Sequence, residues 1–277
     1  MEHFCIITNQ EKDPASELTG QVRAFLQERG KVCDCADAAS GIRENTDCLL
    51  VLGGDGTMLQ AARDSIDRQI PILGINLGTL GYLAEVEKQN WREALANLLS
   101  GRYALEKRML LEGRLTCGAQ ARVCDTTPEY ALNDIVITRD GSLQIINYNI
   151  YVNGKALNTF EADGIIVSTP TGSTAYNLSA GGPIVEPKAK LILLTPICPH
   201  TLSTRSIILA PEDRITIEIG PGRRQEVQRA KASFDGGFDK PMETGDRIEI
   251  CRSDREATVI KLSELSFLET LHKKMAH

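Results

Sequence analysis

Apolar and polar residues follow two different patterns along this chain. Up to about residue 102, short apolar runs at 4–8, 48–52 and 70–75 predict buried strands. Between them, apolar residues recur at helical spacing over 15–26, after Asp13-Pro14, and over 91–99. Strands that alternate with helices predict an N-terminal doubly wound, Rossmann-like α/β domain with a parallel sheet.

From about residue 103, helical periodicity nearly disappears. Short runs rich in Val, Ile, Thr and Tyr recur between turn residues, and Asn153-Gly154 is a two-residue hairpin signal. This pattern predicts a β-rich, β-sandwich-like second domain. Its predicted strands are 131–138, 143–152, 165–168, 191–194, 207–209 and 215–219.

The end of the chain changes pattern again. Residues 257–262 predict a strand, and Ser263 is the predicted cap of a helix with Leu265, Leu268 and Leu271 on one side. We expect the apolar side of this helix to pack against the α/β layer of the first domain. We therefore predict one domain from 1–102 plus about 252–277, and a second, all-β domain from 103–251.

Charge and composition narrow the class of function. Of 277 residues, 31 are Lys or Arg and 37 are Asp or Glu, and the net charge of −6 argues against a nucleic-acid or membrane-surface binder. The start, MEHFCIITNQ, does not resemble a signal peptide, so we expect a cytoplasmic protein. The charged segment 222–231 is interpreted as a solvated loop or edge. The eight cysteines are interpreted as reduced, buried small hydrophobes, and no metal-ligand cluster is predicted.

A glycine-rich turn, GGDGT at 53–57, follows the buried run 48–52 and precedes a helical pattern. Glycines allow close approach of a ligand, and a helix N-terminus favours negative charge, so the turn predicts a phosphate site. It has neither the lysine of a P-loop nor the G-x-G-x-x-G of a dinucleotide fingerprint. A tight surface turn is the alternative. A second glycine loop, at 76–83, carries Tyr82, which either stacks on a ligand base or covers the core.

A second unusual segment is DGIIVSTPTGSTAYNLSAGG at 163–182. Its hydroxyls, amide and aromatic ring suit a sugar and a purine, and Asp163 could accept from ribose hydroxyls. A flexible linker is the alternative. Asn133-Asp134 interrupts an apolar strand pattern, and buried polar groups there would need a partner from the protein or from a ligand.

Together these segments resemble the NAD kinase family. The resemblance rests on GGDGT at 53–57, ND at 133–134, DGIIVSTPTGSTAYNLSAGGPI at 163–184 and LTPICPHTLSTRSIIL at 194–209. It spans nearly the whole chain. The 163–184 motif is specific to the family, whereas diacylglycerol and sphingosine kinases and phosphofructokinases share GGDG-type turns.

The resemblance implies phosphoryl transfer from ATP, or in some members polyphosphate, to the 2′-hydroxyl of the adenosine ribose of NAD, giving NADP. It also implies a divalent metal, usually Mg²⁺, and self-association to a dimer or tetramer. Asp55 would be the proton acceptor, and the amides of Gly53, Gly54, Gly56 and Thr57 would hold the donor phosphates. The candidate NAD-binding residues are Asp55, Gly56, Tyr82, Asn133, Asp134, Glu161, Asp163, Thr174, Ala175, Tyr176, Asn177, Leu178 and Ser179.

Three positions depart from the family pattern. Asp134 stands where Glu is common, Glu161 where Arg is frequent, and Ser206 where Pro is common. The choices between NAD and NADH, and between ATP and polyphosphate, stay open. A lipid kinase of the diacylglycerol type would explain GGDGT but not 168–182, and an NAD sensor would bind the dinucleotide without forming NADP.

Overall fold

The computed structural model describes residues 1–78, 81–118, 124–141, 145–201, 205–222, 225–262 and 266–275. The chain forms two compact units. Unit 1 consists of Met1–Arg108 and Arg255–His277, and unit 2 of Met109–Asp254. In the described parts of the chain, no helix is long and apolar enough to cross a membrane.

The elements of both units follow in chain order. The helices are α1 (Glu17–Gln27), α2 (Asp55–Asp64), α3 (Trp91–Leu99), α4 (Tyr176–Ser179) and α5 (Phe267–Met275). The strands are β1 (His3–Thr8), β2 (Val32–Cys35), β3 (Cys48–Gly53), β4 (Ile72–Asn76), β5 (Val86–Glu87), β6 (Ala104–Thr116), β7 (Glu129–Ala131), β8 (Asp134–Arg139), β9 (Ile146–Val152), β10 (Lys155–Ala162), β11 (Gly164–Ser168), β12 (Ile192–Ile197), β13 (Ile207–Leu209), β14 (Ile215–Ile219), β15 (Arg229–Phe234), β16 (Phe238–Glu243) and β17 (Arg247–Lys261).

Unit 1 is a parallel α/β sheet, as the alternating pattern predicted. Its strands run in the order β2–β1–β3–β4, followed by the end of β17, where Val259 pairs with Ile72. Every residue of β3 is buried, which explains the continuous apolar run 48–52. The N-terminal α/β part of the predicted fold class is confirmed.

The first helix begins later than the sequence predicts. It starts at Glu17 rather than at Asp13-Pro14. The buried carboxylate of Asp13 accepts hydrogen bonds from the backbone N–H groups of Leu18 (3.3 Å) and Thr19 (3.0 Å), so it caps the helix from outside its first turn.

The C-terminal helix has its cap elsewhere too. Ser263 and Leu265 lie outside the described residues, and Ser266 forms a capping box with Glu269. The predicted burial of Leu268 is wrong, because this side chain is 71% exposed. The helix belongs to unit 1, so the chain does return to its first unit.

Unit 2 contains two sheets of mainly antiparallel strands. One has the order β13–β12–β11–β8–β15–β16, and the other contains β10–β9–β14–β17 with β6 and β7. The two sheets share one core, which includes Ile135 and Ile165 of the first sheet and Ile150 and Ile217 of the second. The β-rich part of the fold class is confirmed, and Asn153 and Gly154 form the predicted hairpin turn with positive φ angles of 50° and 74°.

Two expectations for unit 2 need correction. The predicted strand 131–138 is two strands, β7 and β8, separated at 132–133. The 222–231 segment, interpreted as a solvated loop or edge, ends in the first residues of β15, which lies inside the sheet between β8 and β16.

The cysteines are not uniformly reduced and buried. Cys117 and Cys124 form a disulfide, with their Cα atoms 6.0 Å apart. Cys35 and Cys198 are exposed, whereas Cys5, Cys33 and Cys48 are buried as expected.

Candidate active site

The GGDGT turn joins β3 to α2 in unit 1. Gly53 ends the strand, Gly54 is the N-cap residue, and Asp55 is the first residue of the helix. A Cβ on Gly53 would lie 2.3 Å from Thr57 Oγ1, so only glycine lets the chain fold back this tightly. The first amides of a helix generally lack an intrahelical acceptor and favour an anion at this end. Here the Thr57 N–H donates to the Gly54 carbonyl (3.1 Å). The geometry therefore suits a phosphate group.

The Asp55 carboxylate is held by a second segment of unit 1. Oδ2 accepts a hydrogen bond from the N–H of Tyr82 (2.7 Å), and Oδ1 accepts from the N–H groups of Leu83 (3.1 Å) and Ala84 (3.3 Å). A carboxylate has about four acceptor positions. Among the described residues, three are used by these amides, which leaves one acceptor position on Oδ2.

The second glycine loop approaches Asp55 closely. A Cβ on Gly81 would lie 1.9 Å from Asp55 Oδ1, which no real side chain could tolerate. Thr79 and Leu80 lie outside the described residues. The loop predicted beside GGDGT therefore orients the candidate base.

Tyr82 is partly buried, and burial raises the pKa of its phenol. Tyr82 lines a cavity of about 380 Å³ in unit 1, together with residues that include Glu85, Glu93 and Lys261. Both roles considered for Tyr82, stacking on a base and covering the core, are compatible with a half-buried ring.

A second cavity, of about 430 Å³, lies in unit 2. Four of the sequence-predicted residues line it, and the residues that complete it come mainly from β15 and the turn after it. The lining residues are Asn133, Asp134, Val136, Thr138, Ala175, Tyr176, Lys231, Ser233, Asp235 and Gly236. A cavity of this size accommodates part of a dinucleotide.

Two carboxylates meet at this cavity. Asp134 is 5% exposed, and burial, together with the negative charge of Asp235, raises its pKa to about 7. Asp235 accepts hydrogen bonds from the backbone N–H groups of Leu132 (2.9 Å), Asn133 (2.8 Å) and Asp134 (3.2 Å). Asp134 therefore keeps its proton to a higher pH than an ordinary aspartate does.

Asp235 also explains why the strand breaks at 132–133. Its carboxylate, rather than a neighbouring strand, satisfies those amides across more than 100 positions of sequence. The Asp235-Gly236 pair is itself a hairpin signal, between β15 and β16, but nothing local in the sequence predicts its contact with 132–134.

The hydroxyl-rich segment is ordered, and the linker alternative is wrong. Ser168 Oγ donates to the Asn133 carbonyl (3.1 Å), Thr169 N–H to the same carbonyl (2.8 Å), and Thr169 Oγ1 to the Leu132 carbonyl (2.6 Å). A Cβ on Gly172 would lie 2.1 Å from the Asn133 oxygen. The two motifs of unit 2 are thus joined directly to each other.

Some of the predicted ligand groups are engaged inside the protein. Asn177 is fully buried, its Nδ2 donates to the carbonyls of Ser173 and Pro183 (both 3.2 Å), and its Oδ1 accepts from Thr195 Oγ1 (2.7 Å). Ser173 Oγ bonds to both backbone groups of Val185. These side chains fix the shape of the segment in this structure.

The other candidates of unit 2 are more accessible. Tyr176 is 44% exposed and Leu178 39%, Ser179 is exposed, and Thr174 is half-buried. Asp163 is half-buried with Arg139 Nε 3.7 Å from its carboxylate, and Glu161 is exposed. Neither Glu161 nor Asp163 is among the described residues that line the 430 Å³ cavity.

Within the described residues, no group of three or more His, Cys, Asp or Glu side chains could hold a metal ion. The histidines among them do not form a ligand set. A Mg²⁺ ion commonly binds through substrate phosphates and water with few protein ligands.

Comparison with known proteins decides the family. Residues 34–103 match the family model of the ATP-NAD kinase N-terminal domain, and residues 132–262 match that of the ATP-NAD kinase C-terminal domain. The chain belongs to the ATP-NAD kinase family. Similar members include the NAD kinase of Lachnospira eligens, 44% identical over 99% of this chain and 100% of the relative, and that of Agathobacter rectalis, 43% identical over 100% and 99%.

Solved NAD kinase structures share the fold. A crystal structure of yeast NADH kinase complexed with NADH has a TM-score of 0.82, with 26% identity over 100% of this chain and 88% of that one. An NAD kinase from Archaeoglobus fulgidus, in complex with ATP, has a TM-score of 0.81 over 99% of both chains. Its 23% identity supports the likeness of fold alone.

Proposed function

We propose that this chain phosphorylates NAD at the 2′-hydroxyl of its adenosine ribose, with ATP as the donor and Asp55 as the proton acceptor. The observation that carries the proposal is the orientation of the Asp55 carboxylate of the GGDGT turn. The backbone amides of 82–84 hold this carboxylate by three hydrogen bonds. Membership of the ATP-NAD kinase family supplies the reaction class.

The proposed step balances as follows. The ribose oxygen forms a bond to the γ-phosphorus of ATP while the bond from that phosphorus to the β,γ-bridging oxygen breaks, and ADP leaves. The hydroxyl proton moves to Asp55 Oδ2, whose remaining acceptor position faces no amide of 82–84. Phosphoryl transfer depends mainly on positioning and charge stabilisation, and a placed base contributes roughly 100- to 10,000-fold.

We propose that the donor phosphates bind at the glycine turn, to the amides of Gly53, Gly54, Gly56 and Thr57. Glycine at 56 is open to solvent, and apart from its own helix and chain neighbours no described atom lies within 4 Å of a Cβ built there. Because packing does not demand glycine at that position, close approach of a ligand is the better explanation. Mg²⁺ enters with ATP as part of the substrate and would screen the phosphate charge.

NAD recognition is proposed for unit 2, through Asn133, Asp134, Asp163, Glu161 and the exposed groups of 174–179, with Asp55, Gly56 and Tyr82 as contacts from unit 1. The 430 Å³ cavity at Asn133, Asp134 and Tyr176 supports this assignment. The yeast neighbour was crystallised with NADH, which also makes a reduced dinucleotide a reasonable substrate to test. The resemblance further supports a cytoplasmic homodimer or homotetramer.

The experiment is an assay of the purified protein with Mg²⁺, crossing NAD or NADH with ATP or polyphosphate. The expected product is NADP, with ³¹P NMR placing the new phosphate on the 2′-oxygen. Light scattering of the same sample measures the oligomer. Binding of NAD without product from any donor would favour the sensor alternative and overturn the kinase proposal.

A further inference from the structure

Lys12 lies in the loop after β1, outside every motif that the sequence analysis selected. Its Nζ atom would be 3.2 Å from a Cβ on Gly54 and 3.0 Å from a Cβ on Gly78. Gly54 belongs to the GGDGT turn and Gly78 to the second glycine loop. The ammonium therefore lies against both loops, at positions where neither has a side chain.

The backbone that carries Lys12 is fixed on both sides. Asn9 N–H donates to the Leu52 carbonyl (2.8 Å), and Lys12 N–H donates to Asn9 Oδ1 (3.1 Å). The next residue, Asp13, is buried and caps α1. Lys12 itself is exposed, so a rigid loop presents a solvated, chemically accessible ammonium.

The topology of unit 1 gives this position its significance. In the order β2–β1–β3–β4, the direction of strand addition reverses between β1 and β3. Open α/β sheets bind ligands at the carboxyl ends of the strands where this reversal occurs. Lys12 follows β1 and Gly54 follows β3, so the two flank the reversal point of this sheet.

In the parts of the chain that the structure describes, no ion pair neutralises the charge of Lys12. Among the described residues, no carboxylate lies within ion-pair distance of Nζ, although several other lysines, such as Lys31 with Glu2 at 2.6 Å, do have one. The chain as a whole is acidic, with a net charge of −6. A lone ammonium against a phosphate-type turn favours a multiply charged anion as its partner.

We infer that Lys12 binds the triphosphate of the donor nucleotide, supplying the positive charge that the GGDGT turn lacks. A P-loop contains its own lysine for this purpose, whereas here the lysine comes from the neighbouring strand's loop. Charge-assisted hydrogen bonds to phosphate oxygens are among the stronger ones. The inference rests on the proposed function, because it takes the glycine turn as the donor site.

The test uses Lys12→Met, Lys12→Arg and the matched control Lys31→Met in the full-length protein. Lys31 is a lysine of the same unit that lies beside the amino ends of the strands and pairs with Glu2. We expect Lys12→Met to raise the KM for ATP about 10- to 100-fold, with a far smaller change in the KM for NAD and no change in Tm. Lys12→Arg should recover most of the loss, and Lys31→Met should behave as wild type towards ATP.

Calorimetric titration with inorganic triphosphate separates this inference from the kinase proposal, because it needs no turnover. Weaker triphosphate binding by Lys12→Met than by Lys31→Met supports the inference, even if no NADP forms. Equal binding by the two variants, or no binding by the wild type, overturns it. An active enzyme whose ATP KM is unchanged in Lys12→Met overturns the inference and leaves the proposed reaction standing.

Discussion

Gly81 lies so close to Asp55 that a Cβ on the glycine would be 1.9 Å from Oδ1 of the carboxylate. The amides that follow Gly81 hold this carboxylate in one orientation. The glycine is thus a condition for the position of the proposed base, although it has no functional group of its own.

We predict that Gly81→Ala lowers kcat by at least about 100-fold, because the added methyl group must displace the carboxylate or the loop, and misplacement by about 1 Å is that costly. Steady-state kinetics measure the effect, and the KM for NAD should change far less. The control is Gly20→Ala in α1, where a Cβ meets no described atom within 4 Å outside its own helix backbone and chain neighbours, and alanine is the better helix former. Equal kcat values for the two variants would show that glycine at position 81 is not needed to position Asp55.

The raised pKa of Asp134 leads us to predict a specific pH dependence of the unfolding free energy. Its pKa is about 7 in the folded protein and about 3.9 in an unfolded chain, so the folded state holds the extra proton between these values. Stability from this group is therefore complete below about pH 4 and is lost as the pH rises towards 7. The loss is on the order of 4 kcal/mol, at about 1.4 kcal/mol for each pH unit.

Asp134→Asn should remove this dependence, because asparagine stays neutral. Urea unfolding at pH 4.5 and at pH 8 measures the difference in unfolding free energy between wild type and variant. We expect the unfolding free energy of Asp134→Asn, relative to that of the wild type, to increase as the pH rises. Asp140→Asn changes an exposed position of the same unit, and its unfolding free energy should differ from that of the wild type by the same amount at both pH values. A parallel course for both variants would contradict a raised pKa at Asp134.

Substitutions at Asn177 and at its neighbour Leu178 should differ in their effect on the unfolding free energy. Asn177→Ala leaves the Thr195 hydroxyl and the Pro183 carbonyl without this partner in a buried place, so it should cost about 2 to 4 kcal/mol of unfolding free energy. Leu178→Ala, at a side chain that is 39% exposed, should cost no more than about 0.5 kcal/mol. Chemical unfolding of both variants gives the comparison, and equal costs would show that the buried amide does not fix the segment.

The sequence predicted those parts of the structure that local patterns determine. The buried run of β3, the helix α3 and the Asn153-Gly154 turn are where the periodicity and turn residues put them. The family-specific segment at 163–184 carried the reaction class. These features depend on neighbours within a few positions of sequence, which a single sequence displays.

The parts that were missed depend on distant partners. The start of α1 was displaced by the Asp13 cap, and the break at 132–133 follows from Asp235, about 100 residues away. Asn177, selected for its polarity, turned out to be engaged with the core of its own unit. No sequence pattern singled out Lys12, because lysines are common in polar loops. Its importance follows only from its position beside the two glycine loops in the structure.

The central claim is that Asp55 accepts the proton of the attacking hydroxyl. Its most direct test is NADP formation by Asp55→Asn, with NAD binding followed by calorimetry in the same preparation and Asp64→Asn, at the other end of α2, as the matched control. The account predicts that Asp55→Asn folds and binds NAD but forms NADP at least about 100-fold more slowly, while Asp64→Asn stays near wild type. Wild-type turnover by Asp55→Asn would contradict it.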